Sequence, residues 1–128
     1  PNLKVQLSAS KYVREKGPHI ALHGRNGSYL KYVPDIQEAQ LAQGILPVGN
    51  WNQESEEQWG TLNTEFNGVH FRGKIESVTA SYASYYNNVY QAITENKKLI
   101  VTAQQAQKVL MLLEKCFESA ELRKVVEI

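Results

Sequence analysis

Sheet-like alternation runs through the first part of this chain and stops near Val78, and helical periodicity begins at Tyr82. That segregation excludes alternating strand–helix architectures and leaves a sheet with helices added to it. In Lys4–Ser10 the apolar Val5, Leu7 and Ala9 alternate with Lys4, Gln6 and Ser8, the period of a strand with two unlike faces. Further strands are expected over His19–His23 and Ser28–Val33. Asn26-Gly27 between them supplies residues that tolerate positive φ, so a primed hairpin turn is expected there. Trp59–Thr64 and Gly68–Val78 read as a second set, with Gly73 marking a bulge or bend. In Tyr82–Glu95, Tyr82, Tyr86, Val89 and Ile93 recur at helical spacing, and Asn96 with Lys97-Lys98 suits the exit. Thr102 followed by Gln105 forms a capping box, so the next helix starts there, with Ala106, Val109, Leu110, Leu113 and Phe117 as its buried stripe. Arg123–Ile128 is β-branched enough to return as a last strand. The fold class is α+β: a mostly antiparallel, mixed, open sheet with helices packed on one face. No internal repeat interrupts it.

Pro34-Asp35 ends the strand before it and opens a short helix through Gln43, closed by Gly44. Ile45–Gln58, with Pro47, Gly49, Asn50, Asn52 and several glutamates, reads as a long surface loop. At 128 residues the chain fits a single domain, 1–128. Fourteen Lys and Arg against thirteen Asp and Glu give a formal net charge of +1, with no basic stripe, so nucleic acid is excluded as a partner. The longest apolar runs, such as Val109–Leu113, fall far short of a bilayer span, which points to a cytoplasmic protein without membrane contact. Cys116, the single cysteine, lies in a helical pattern and is expected as a buried small hydrophobe.

Few side chains suggest chemistry by themselves. His19 and His23 share a strand face by parity, yet no third ligand accompanies them, so no metal site is expected. His70 beside Arg72 reads as a surface histidine facing one of Glu54–Glu57, or as one facing substrate. Glu54, Glu56 and Glu57 read as solvated loop charge. No Gly-x-Gly-x-x-Gly occurs, so nothing here would bring backbone donors to a pyrophosphate.

Several segments together carry more information. They are Ile20-Ala21-Leu22-His23-Gly24-Arg25-Asn26-Gly27-Ser28-Tyr29-Leu30-Lys31-Tyr32, Asp35-Ile36-Gln37-Glu38, Glu57-Gln58-Trp59-Gly60-Thr61-Leu62, Tyr82 with Tyr85-Tyr86-Asn87, and Val101-Thr102-Ala103. In order and spacing they resemble the C-terminal domain of the glucose-fructose oxidoreductase, inositol dehydrogenase and rhizopine-catabolism family, the Gfo/Idh/MocA oxidoreductases. Val33-Pro34 stands where glycine and an apolar residue are commoner, and Ala80-Ser81 replaces a glycine-polar pair. Both departures concern loop shape.

The resemblance implies a dihydrodipicolinate-reductase-like C-terminal domain that binds substrate and oligomerises. In the whole protein an N-terminal nucleotide-binding domain would precede it, and a dimer would form through the open sheet face. That protein would transfer hydride between a sugar or polyol and NAD or NADP. The family's Glu-Lys-Pro lysine and Asp-x-x-x-His pair are absent, so no catalytic or cofactor-binding residue is expected in this chain, which alone should be inactive. The alternative is a non-catalytic binding or scaffold module of the same fold. The substrate-binding candidates that the resemblance implies are Lys31, Asp35, Gln37, Glu38, Trp59 and Tyr85. Bland readings stand beside them: Lys31 as a solvated edge charge, Trp59 as a ring packed on the sheet, and Tyr85 as a core ring. Trp51, like Trp59, has a ring able to stack on a sugar.

Overall fold

A computed structural model describes residues 3–128. The chain forms β1 (Ile20–His23), β2 (Gly27–Lys31), α1 (Gln37–Ala42), a single 3-10 turn (Glu56–Gln58), β3 (Gly60–Phe66), β4 (Val69–Ile75), α2 (Tyr82–Glu95) and α3 (Ala103–Leu122). It divides into two compact units, one ending at Ser81 and the other running Tyr82–Ile128.

The first unit is built on a four-stranded sheet in the order β1-β2-β3-β4, with all three pairings antiparallel. No parallel strand joins it, so among the described residues the sheet is a simple meander. Lys4–Ser10 is irregular and exposed instead of forming the strand expected from its alternation. Alternation gives a segment two faces but cannot supply the neighbouring backbone that a ladder needs. Arg123–Ile128 is likewise not a strand. The four other expected strands and the short helix appear within a few residues of their predicted bounds.

The two Asn-Gly dipeptides behave differently. Asn67 and Gly68 have φ of 50° and 77°, giving the two-residue turn between β3 and β4 the positive dihedrals of a primed turn. Asn26-Gly27, expected to do the same, does not enter the positive-φ region. Its turn spans Gly24–Gly27, closed by the Gly24 N–H donating to the Gly27 carbonyl at 2.8 Å. Gly27 is needed for a different reason: a Cβ there would lie 2.7 Å from the Asn63 carbonyl oxygen, across the β2–β3 seam.

Register sorts the sheet into two unlike faces. Ile20, Leu22, Tyr29, Leu62, Phe71 and Ile75 share one, while His23, Ser28, Asn63, His70, Arg72 and Lys74 share the other. On the apolar face the Tyr29 ring lies over Gly60 and the Phe71 ring over Gly73, so aromatic area fills the space a side chain would need. Leu22 and Phe71 remain 60% and 45% exposed. Tyr32, one residue beyond the end of β2 at Lys31, is exposed as well. On the polar face the His23 Nδ1 meets the Ser28 hydroxyl at 2.9 Å, and the His70 Nε2 meets Asn63 Oδ1 at 2.7 Å. His70 therefore pairs with Asn63 rather than with a loop glutamate.

The second unit holds α2 and α3, both where sequence placed them. Asn96, at φ 53°, takes α2 out through the left-handed region, as its short polar side chain allows. Asn88 then clamps the connection, donating to the Lys98 carbonyl at 3.1 Å and accepting from the Ile100 N–H at 2.9 Å. The Thr102 and Gln105 capping box is complete. The apolar stripe of α3 exists, yet no residue of either helix is buried, and Cys116 is exposed. Helical periodicity identifies a face that needs covering, not the surface that covers it.

Candidate functional site

The most enclosed part of the first unit is polar. Trp51 is 6% exposed, beside Gln37 at 1%, Asn52 at 6% and Lys31 at 9%. Sequence placed Trp51, Asn52 and Glu54 on a surface loop. Instead the loop folds inward, and its Trp51 indole donates to Gln37 Oε1 at 3.0 Å. Gln37 in turn donates from Nε2 to Asp35 Oδ2 at 2.8 Å and from its backbone to Asp35 Oδ1 at 2.9 Å. Trp51 is therefore held inside rather than presented to a sugar ring, and Asp35 is an acceptor fixed by two bonds at the start of α1.

Lys31 is the last residue of β2, and its side chain turns inward where an edge lysine would reach for water. Its ammonium meets Glu54 Oε2 at 2.6 Å, the Gln58 carbonyl at 3.1 Å and the Ser77 hydroxyl at 3.0 Å. An ammonium has three N–H donors, and all three are committed. The side chains of Lys31 and Glu54 are 11% and 7% exposed, so this is a desolvated ion pair whose added hydrogen bonds offset the cost of leaving water. Glu54 is therefore not the solvated loop charge that its neighbours suggest.

Asn52 completes the arrangement from a left-handed backbone, φ 59°. Its N–H donates to Gln40 Oε1 at 3.1 Å, and its Nδ2 donates to the Ala80 carbonyl at 2.8 Å, which fixes the amide's orientation. Asn52 Oδ1 is buried and has no hydrogen-bond partner. A buried acceptor left this way is costly unless something donates to it.

These residues border a cavity of about 220 Å³, lined by Lys31, Asn52, Glu54 and Ser77, with the exposed His19, Ile20, Asp35, Val78 and Ala80 at its margin. Of the six residues picked from sequence, Lys31 and Asp35 line it, and Gln37 fixes Asp35 from behind. Glu38 is exposed on α1, while Trp59 is half-buried with its indole donating to the Glu54 carbonyl at 3.3 Å, and neither lines the cavity. Tyr85 belongs to the second unit, where its ring meets Tyr86 edge-on at 5.4 Å. Asn52, Glu54 and Ser77 were not picked. The need of a strand lysine for a carboxylate was foreseeable, but nothing in the sequence says which of several glutamates answers it. Among the described residues no cluster of His, Cys, Asp and Glu could hold a metal ion, and no helix is long and apolar enough to cross a membrane.

Comparison with known proteins places this geometry in a lineage. The profile described as "Oxidoreductase family, C-terminal alpha/beta domain" matches residues 2–128. The chain is 30% identical over 125 residues to the scyllo-inositol 2-dehydrogenase (NADP(+)) IolW of Bacillus subtilis, a match that covers 97% of this chain and 35% of the relative. It is also 30% identical over 120 residues to the uncharacterized oxidoreductase YhhX of Escherichia coli, covering 93% of this chain and 34% of that protein. Among solved structures, a protein of Bacteroides fragilis provisionally assigned as an oxidoreductase superposes with a TM-score of 0.86 at 38% identity, covering 93% of this chain and 36% of its own. The chain thus spans about a third of the length of the relatives it matches. With a family match over nearly every residue and the same α+β fold, the chain belongs to the Gfo/Idh/MocA oxidoreductases, as their C-terminal alpha/beta domain.

Proposed function

We propose that this chain is the substrate-side and self-associating domain of a longer cytoplasmic oxidoreductase, which transfers hydride between a sugar or polyol hydroxyl and NAD or NADP. The observation that carries the reading is the cavity beside Lys31, whose wall sets polar groups among the apolar Ile20, Val78 and Ala80. It has carboxylate, amide and hydroxyl groups at its wall and a volume of about 220 Å³, suited to a small hydroxylated ring and far too small for a dinucleotide. The likeness to an inositol dehydrogenase that uses NADP(+) supports the polyol and the nicotinamide. In this reading the cofactor supplies the redox chemistry and is held by a nucleotide-binding domain, while the residues described here bind and orient the hydroxylated substrate.

Self-association is the second part of the proposal. The apolar sheet face, with Leu22 and Phe71 exposed and Val69 69% exposed at its end, is a large apolar surface for water to cover. A two-fold contact through it would be self-complementary. A non-catalytic scaffold with the same fold would keep this face and lose the nicotinamide. Fluorescence titration of NADH and NADPH against this chain and against the longer protein separates the readings. Saturable binding by the longer protein alone is expected; micromolar binding by this chain, or none by either, contradicts the proposal.

A further inference from the structure

The two Asn-Gly dipeptides differ in chemistry as well as in turn geometry. An asparagine before glycine is open to attack by the next backbone nitrogen, because a residue without Cβ lets that nitrogen approach the side-chain carbonyl carbon. Closing the ring requires the asparagine ψ to turn, so what decides is how firmly each peptide is held. Asn26-Gly27 is clamped. The Asn26 carbonyl accepts from the Glu65 N–H and from the Thr64 hydroxyl, each at 2.9 Å and both on β3. Gly27 is already in β2, its carbonyl accepts from the Gly24 N–H, and it lies against the Asn63 carbonyl so closely that no Cβ would fit. Turning the peptide that joins them would tear it from β3. Asn67-Gly68 has none of these restraints. Both residues are exposed, neither the Asn67 side chain nor the Gly68 N–H makes a hydrogen bond, and nothing lies within 4 Å of a Cβ placed at Gly68. The Asn67 ψ can leave the left-handed region by fraying of the tip alone, while the ladder from Phe66 and Val69 onward stays paired.

We infer that Asn67 is a site of spontaneous deamidation in the folded protein and that the fold protects Asn26 from the same reaction. The Gly68 nitrogen bonds to Asn67 Cγ, its proton passes through water to the side-chain nitrogen, and the Cγ–N bond breaks to release ammonia and leave a succinimide. Water then adds to either ring carbonyl and opens the ring to aspartate or isoaspartate, with no change of oxidation state. Either product adds a carboxylate to a tip that already carries Glu65. Isoaspartate also threads an extra backbone methylene through a turn whose two-residue length sets the pairing of Phe66 with Val69. β4, the end strand of the described sheet, is the element that loosens. The site stands whatever substrate the longer protein takes.

The test holds the unaltered chain in mildly alkaline buffer, folded and in urea, and follows by mass the peptides that carry each asparagine after cleavage at lysine and arginine. In the folded chain Asn67 should convert about tenfold or more faster than Asn26, the factor set when about two net hydrogen bonds must break before the ring can close. In urea the two rates should converge, since both residues precede glycine. Thr64→Val, which removes one of the bonds on the Asn26 carbonyl, should speed Asn26 and leave Asn67 unchanged. Amide exchange at Val69 and Phe71 should rise in the isoaspartate fraction, and unchanged exchange there would overturn the effect on β4. Equal folded rates, or a faster Asn26, overturn the assignment. So does a contrast that survives in urea, which would trace it to sequence, or a folded Asn67 that stays intact while both sites convert in urea. The comparison on the unaltered chain decides even if Thr64→Val does not fold.

Discussion

Glu54→Ala would leave the Lys31 ammonium desolvated with a carbonyl and a hydroxyl in place of a carboxylate. Breaking one half of a buried pair typically costs about 3–5 kcal/mol, whereas replacing both halves by apolar residues is often near neutral. Urea unfolding of Glu54→Ala, Lys31→Met and the double variant Lys31→Met/Glu54→Leu should show large losses in the single variants and a much smaller one in the double. Additive losses would mean that the two side chains do not act as a pair. This pair also marks what the sequence could tell. Lys31 was legible as unusual because of the segment around it, but its partner lies 23 residues away among three glutamates of one loop. Composition made that loop look solvated. Only the inward turn of Trp51, which no periodicity announces, brings Glu54 and Asn52 to the cavity.

Elements with local signals were legible to within a few residues. The Thr102 cap is one, because its side chain and that of Gln105 each satisfy a backbone donor of the same turn. Thr102→Ala should cost about 1 kcal/mol and raise amide exchange in the first turn of α3; unchanged exchange would contradict the capping role. Glycines separate the two Asn-Gly turns. Gly68 lies at φ +77°, so Gly68→Ala should cost about 1–2 kcal/mol through backbone strain, read as a lowered urea midpoint. Gly17→Ala, with nothing within 4 Å and no positive φ, is the control and should be near neutral. Equal effects at the two sites would contradict the turn assignment. The same dipeptide at Asn26-Gly27 misled because its glycine answers to the neighbouring strand, a tertiary demand invisible to turn chemistry. Lys4–Ser10 misled for the related reason that strand period does not provide a pairing edge.

At the scale of the molecule, apolar surface remains on the sheet and along α3. Helical periodicity located the stripe of α3, the apolar face of the sheet emerges only from the register of its four strands, and neither pattern says what covers it. If the sheet face is a two-fold contact, it should bury more than about 1,000 Å² in total, and Phe71→Glu should shift sedimentation toward monomer while helical circular dichroism is kept. A chain that sediments as monomer at every concentration would remove the interface. The central claim concerns chemistry, and hydride transfer tests it most directly. The longer protein and this chain alone, at equal molarity, are given NAD or NADP with scyllo- or myo-inositol while nicotinamide reduction is followed. The account predicts turnover by the longer protein and none by this chain; turnover by the chain alone, or no nicotinamide reduction by the longer protein with any polyol or sugar, would contradict it.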